Sequence, residues 1–224
     1  ISRGLREGLR AGPRRHGLHV GGRRAPLPQA CMGARSRIRR WRRTGRRTRG
    51  WAGLVSNLQR VITLDMEGVV TPEIWIAVAE RTGIDDLRRT TRDEPNYQSL
   101  MDFRIAVLDQ HGISLSLVQE VIAGLGVLDG AKAFLDELRA QHQVVLLSDT
   151  FEQFADPFME QLGRPHLLCH RLTVESDRIV SFSPRVADPK KRAVECYQAL
   201  NYHVTAMGDS HNDLGMLLAA DASS

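Results

Sequence analysis

The sequence predicts an α/β protein: a parallel sheet with helices on both faces, Rossmann-like, carrying a small all-helical insert. Three observations lead to this. Short apolar runs, Val61–Leu64, Val144–Leu147 and Val204–Met207, alternate with segments of helical periodicity. Strands separated by helices pair in parallel through right-handed crossovers. No strand is evident between Pro72 and Gly126, where the pattern is helical throughout.

The elements follow in order. Val61-Ile62-Thr63-Leu64 reads as a buried strand ending at Asp65-Met66-Glu67-Gly68. From Pro72, which suits a first helical turn, Ile74, Trp75, Val78 and Ala79 recur at the spacing of a buried helix face, and Gly83 ends that helix. Trp75, on this stripe, reads as core. Residues 85–125 continue as helices, with Leu100, Arg104, Val107 and Leu108 sharing one face and Leu117, Val121 and Ile122 another. Ala131 to Gln141 is helical, and Val144 to Leu147 is a second buried strand ending at Ser148-Asp149-Thr150. A helix follows from Phe151 to Leu162, and Asp149 is placed either to cap it or to touch the site. His166 to Cys169 forms a short third strand, and Leu172–Val174 with Ile179–Phe182 a hairpin around Ser176-Asp177. Pro189 opens a helix to Leu200, Val204 to Met207 is a strand, and Asn212 to Ala220 begins a last helix.

Charge divides the 224 residues. Residues 1–57 hold sixteen Arg, no Lys and one acid, for +15, whereas residues 58–224 hold fifteen basic and twenty-five acidic residues, for −10. The net +5 therefore describes neither part. Residues 1–57, rich in Gly and Arg pairs without an apolar period, are expected to be a disordered basic extension. Residues 58–71 and 127–224 are expected to form the core, and 72–126 a helical cap. A nucleic-acid partner is disfavoured because the part that can fold is acidic. Arg35–Arg49 with Trp41 would suit RNA or an anionic membrane, but the stretch reads rather as upstream sequence, and the chain opens on Ile rather than Met. No run of 18 apolar residues exists, so no membrane span is expected. Cys31, Cys169 and Cys196, odd in number and without CxxC spacing, argue against disulfides or zinc and fit a cytoplasmic protein.

The chemistry gathers at strand ends. Asp65 and Glu67, Ser148, and Asp209 with Asp213 all follow predicted parallel strands, the edge at which open α/β sheets bind ligands. Carboxylates clustered there need a cation, and oxygen ligands suit Mg²⁺. A metal beside a hydroxyl and a lysine is equipment for phosphoryl transfer. Lys190 follows Pro189 directly and is the candidate lysine; Lys191 reads as a solvated helix charge. His166, Cys169 and His170 read as structural, since His166 and His170 share one strand face and Cys169 the other.

Asp65-Met66-Glu67-Gly68-Val69-Val70, Ser148-Asp149-Thr150, Asp188-Pro189-Lys190 and Gly208-Asp209-Ser210-His211-Asn212-Asp213 resemble, in order, the four motifs of the haloacid dehalogenase superfamily. Thr71-Pro72-Glu73-Ile74-Trp75-Ile76, Thr90-Thr91-Arg92-Asp93 and Leu167-Leu168-Cys169-His170 narrow the resemblance to its ThrH-type bifunctional phosphoserine phosphatase/homoserine phosphotransferases. It covers essentially all of residues 60–220 and none of 1–57. The resemblance implies Asp65 as the nucleophile, forming an aspartyl-phosphate, and Glu67 as acid then base. It implies Mg²⁺ held by Asp65 and Asp209 side chains and the Glu67 carbonyl, with Asp213 orienting the metal shell. Ser148 and Lys190 would hold phosphoryl oxygens, with backbone at Gly68, Asp149 and Thr150 adding donors. Glu73 would take the ammonium and Arg104 the carboxylate of O-phospho-L-serine, with Arg92 competing for the second role; water or homoserine would be the acceptor. Glu67, where most superfamily phosphatases have Asp, belongs to the narrower branch. Another small phosphomonoester is the rival substrate, and a non-catalytic RNA-associated protein the rival class. Relatives continue past this chain's end, so a further strand and helices are expected to be missing. Oligomeric state is not legible.

Overall fold

The computed structural model describes residues 59–224, so the expectations for residues 1–57 and for Cys31 lie outside the described residues. Strand β1 (Arg60–Asp65) is buried at every residue after Arg60. A strand apolar on both faces belongs in the middle of a parallel sheet. It lies between β2 (Gln143–Phe151) and β5 (His203–Met207), both parallel, with Ile62 opposite Val144 on one side and Thr205 on the other. Strand β3 (His166–Glu175) pairs in parallel with β2, β4 (Arg178–Ser183) antiparallel with β3, and β6 (Ala222–Ser223) in parallel with β5. The order is β4-β3-β2-β1-β5-β6.

Three details differ from the sequence reading. The expected third strand and the first arm of the hairpin are one ten-residue strand: β3 pairs with β2 through its first half and with β4 through its second. The polar pair His170-Arg171 interrupts the apolar run between Cys169 and Leu172, which is why the sequence divides it. Strand β2 runs on through Ser148-Asp149-Thr150, with a register shift against β3 between Leu147 and Phe151. The sheet also does not stop at β5, because Ala222–Ser223 already begins the next strand.

Strand alternation sorts the core into two faces. Ile62, Leu64, Val144 and Leu146 pack with helices α4 (Ala131–Arg139) and α5 (Glu152–Gln161), through Phe134, Leu135, Phe154 and Phe158. Val61, Val145 and Leu147 pack on the other face with Ala193 and Val194 of α6 (Pro189–Ala199) and Met216 of α7 (Leu214–Ala219).

Between β1 and α4 the chain is helical: α1 (Ile74–Thr82), a 3-10 turn (Asp85–Arg88), α2 (Tyr97–Gln110) and α3 (Leu115–Leu125). Gly83 ends α1 in the left-handed region at φ 71°, its N–H donating to Ala79 O. The two ends of this stretch meet, because Leu128 N donates to Val70 O at 3.0 Å. Two contacts tie α3 to the sheet layers. The hairpin tip residue Asp177 accepts from Ser116 N and Oγ, both at 2.9 Å, at the first turn of α3. Pro157 inside α5 has no N–H for the Gln153 carbonyl, and Gln119 Nε2 of α3 donates to it instead at 2.8 Å. Among the described residues no helix is long and apolar enough to cross a membrane. Cys169 (buried) and Cys196 (exposed) are both free thiols.

Candidate active site

The carboxyl ends of β1, β2 and β5 converge on Lys190, the second residue of α6. Its Nζ donates to Asp65 Oδ1 at 2.9 Å and Asp213 Oδ1 at 2.8 Å, and lies 3.4 Å from Asp149 Oδ2. Lys190 is 6% exposed, whereas Lys191 is exposed and pairs with Glu195. Burial disfavours the ammonium, but the carboxylates of Asp65, Asp149 and Asp213 outweigh it and raise the Lys190 pKa.

The same cluster is unbalanced for its acids. Burial pushes the Asp65 carboxyl up to about 8; Lys190 opposes this and Asp213 adds to it. Asp65, Asp209 and Asp213 each place an oxygen within 4.8 Å of the others, the one such group among the described residues. One lysine does not neutralise three acids, and an all-oxygen set of this kind fits a hard divalent cation, whose charge would return Asp65 to the anionic form. Asp213 is fully engaged: Oδ2 accepts from Asp209 N, Ser210 N and Ser210 Oγ at 2.9–3.0 Å. Gly208 is required for this fit, since a Cβ there would meet the Asp213 carboxyl carbon at 2.5 Å.

Glu67 lies two residues beyond β1, and its Oε2 accepts from Ile74 N at the start of α1 at 3.2 Å. Burial raises its pKa, against the pull of that N–H and of Arg104. Asp149 does not cap α5, whose N-cap, Phe151, has no side-chain bond. Its carboxylate instead faces His170 Nε2 at 3.6 Å and Lys190, which together outweigh burial and hold its pKa below the usual carboxylate value. Tyr97 of α2 donates to the Asp149 carbonyl, joining the helical insert to β2.

A cavity of about 240 Å³ opens over these groups. Of the predicted residues, Asp65, Glu67, Ser148, Asp149, Lys190 and Asp209 line its floor, and Glu73 and Arg104 its insert side. Arg92 also lines it but is exposed, whereas Arg104 is 6% exposed with its Nε unpartnered. Gly68 and Thr150 do not line it, and their N–H groups are already engaged, with Thr71 O at 2.8 Å and Ser148 Oγ at 3.2 Å. Gly68, at φ 76°, instead serves a tight turn whose Cβ position would lie 3.2 Å from Asp209 Oδ1. Sequence reasoning missed Tyr97, Trp75, Ser210 and Asn212 in the lining. The last two sit inside the fourth motif and were legible there; the rings reach the site only through the insert's packing.

The site thus sets a buried carboxylate, Asp65, at the end of a central parallel strand, paired with Lys190 and beside two further acids, Asp209 and Asp213. The family model for haloacid dehalogenase-like hydrolases matches residues 72–218, and the chain belongs to that family. It is similar to a phosphoserine phosphatase of Pseudomonas syringae pv. tomato, 54% identical over 163 residues that cover 72% of this chain and 69% of that protein. It is similar also to the phosphoserine phosphatase ThrH of Pseudomonas aeruginosa, 53% identical over 72% and 80% of the two chains. Among solved structures, a phospho-aspartyl intermediate analogue of phosphoserine phosphatase matches with a TM-score of 0.62 at 18% identity, over 75% of this chain and 86% of that one. A phosphoserine phosphatase from T. onnurineus matches at 0.56 and 23%, over 76% and 86%. These two matches establish the shared fold.

Proposed function

We propose that the chain is a Mg²⁺-dependent phosphoserine phosphatase that works through an aspartyl-phosphate. The observation that carries this reading is the pairing of buried Asp65 with Lys190 beneath a small cavity whose far side holds a buried, incompletely partnered Arg104 and an acid, Glu73. Carboxylate, ammonium and phosphoryl groups of one small molecule each meet an opposite charge there. The two similar Pseudomonas proteins carry the same activity in their names.

Asp65 hydrogen-bonds through Oδ1 to Met66 N and Lys190, which leaves Oδ2 for phosphorus. As the Oδ2–P bond forms and the bond to the seryl oxygen breaks, Glu67 gives that oxygen a proton. Its raised pKa suits it to hold one beforehand. Glu67 then takes a proton from water as the water oxygen attacks phosphorus and the Oδ2–P bond breaks, restoring the Asp65 carboxylate. Lys190 and Ser148 hold the phosphoryl oxygens. Mg²⁺, held by Asp65, Asp209 and the Glu67 carbonyl with Asp213 orienting its shell, would supply charge neutralisation on those oxygens. Residues 72–126 act as the cap that limits water entry.

Phosphate release from O-phospho-L-serine should stop on chelation with EDTA and return with Mg²⁺. Another phosphomonoester turned over faster than phosphoserine in a substrate panel would overturn the substrate assignment.

Homoserine is a second acceptor in this reading, supported by the length of Glu67. Its carboxyl reaches the α1 N-terminus, a contact that the shorter Asp would lose. Glu67→Asp should therefore lower the ratio of phosphohomoserine to free phosphate formed from labelled phosphoserine; an unchanged ratio refutes this role.

A further inference from the structure

Arg104 is held before any substrate arrives. Its guanidinium carbon lies 4.6 Å from the centroid of the Trp75 ring, so the charged plane rests on the indole. Nη2 donates to Arg89 O at 2.6 Å, which restrains rotation over that ring. Arg89 is itself restrained, its guanidinium 4.3 Å above the Phe103 ring. Nη1 has only a weak sulfur contact, Met101 Sδ at 3.8 Å, and Nε is buried with no partner. Trp75 also packs against Phe154 of α5, in an edge-to-face arrangement with ring centroids 5.8 Å apart. It is 7% exposed, belongs to the core cluster and also lines the cavity. A packing role alone would be met by any apolar side chain of similar volume. The placement of a buried cation on its face would not.

We infer that Trp75 is a positioning residue: its indole face orients the Arg104 guanidinium, and so sets the preference for phosphate esters that carry a carboxylate. This rests on the phosphoserine reading. A free guanidinium on a flexible stem loses side-chain freedom when it binds a carboxylate; one already stacked and tethered loses less. The chain of support runs from the sheet layer through Phe154 and Trp75 to Arg104, and thence to the ligand. The phosphoryl end of the substrate, held at Asp65 and Lys190, lies outside this chain.

The test compares phosphoserine with phosphoethanolamine, the same ester without the carboxylate, in full-length protein with Mg²⁺. Trp75→Leu should raise KM for phosphoserine about 3- to 30-fold, the span of a desolvated cation–π contact, with kcat moving less. The kcat/KM ratio of phosphoserine over phosphoethanolamine should fall by the same factor. Trp75→Phe keeps a smaller aromatic face and should lose less, and it decides the matter if Trp75→Leu does not fold. In an Arg104→Ala background, Trp75→Phe should leave the ratio where Arg104→Ala put it, because the indole acts only through the guanidinium. Equal losses on both substrates, or an additive effect in the double variant, would overturn the inference and leave Trp75 as packing. If the unsubstituted protein shows no preference for phosphoserine, the fault lies with the substrate reading instead.

Discussion

Asp65→Asn should abolish phosphate release while leaving the fold in place. The amide cannot form the acyl phosphate, so the loss is expected to reach about four orders of magnitude or more, as for removal of other covalent nucleophiles. The fold should survive because Lys190 keeps Asp213 at 2.8 Å and Asp149 at 3.4 Å. The substitution also removes a carboxyl whose ionisation burial opposes. Acid-quenched protein incubated with labelled phosphoserine should carry label when Asp65 is present and none in Asp65→Asn. Substantial activity or label retained in the variant would remove Asp65 from the nucleophile's role.

Lys190→Met should damage both chemistry and stability. With the ammonium gone, Asp65, Asp149 and Asp213 lose the fixed cation they share, and the His170 imidazole, 3.6 Å from Asp149, is the basic group left beside them. Breaking a buried ion pair by removing one partner costs about 3–5 kcal/mol, because the remaining charge is left uncompensated. In metal-free buffer Asp65, which burial already pushes up and Lys190 would no longer oppose, would then hold its proton more readily folded than unfolded. Its folded pKa would be raised further, so the deficit should shrink as pH falls and grow as pH rises. Urea denaturation across that range reads the effect, and Asp65→Asn added to Lys190→Met should recover part of the stability. A variant as stable as the parent at neutral pH would show that the cluster does not depend on Lys190 for its balance. Turnover should fall with stability held constant by low temperature, since it is the Lys190 ammonium that donates to Asp65 Oδ1.

Much of the site was legible in the chain because its parts are local. Asp65 and Glu67 follow an apolar run of four residues; Asp209 and Asp213 sit four apart after another, where a turn and a short helix fold one carboxylate back on the other's N–H. Pro189 marks the start of α6 and so puts Lys190 in its first turn. The hairpin turn at Ser176-Asp177 was legible too, as both residues take positive φ. The long β3 was not, because the polar pair His170-Arg171 at its middle breaks the apolar pattern in two although His170 is buried. Sequence places the N–H groups of Gly68 and Thr150 near the site but does not tell that the Thr71 carbonyl and the Ser148 hydroxyl accept from them.

The carboxyl ends of β1 and β5, the order of the four motifs and the identity of the charged groups were legible in the chain, because these follow from periodicity and from residue chemistry within a few positions. Tertiary packing alone sets which lysine and which of the two cavity-lining arginines is buried, that Asp149 answers to His170 and Lys190 rather than to a helix N-terminus, and that Trp75 lies under Arg104. Each of those depends on elements far apart in the chain. Lys190 and Asp65 are 125 residues apart, Tyr97 and Asp149 52. A buried charge takes its partner from whatever the packing brings within a few ångströms, and no periodicity along the chain records that distance.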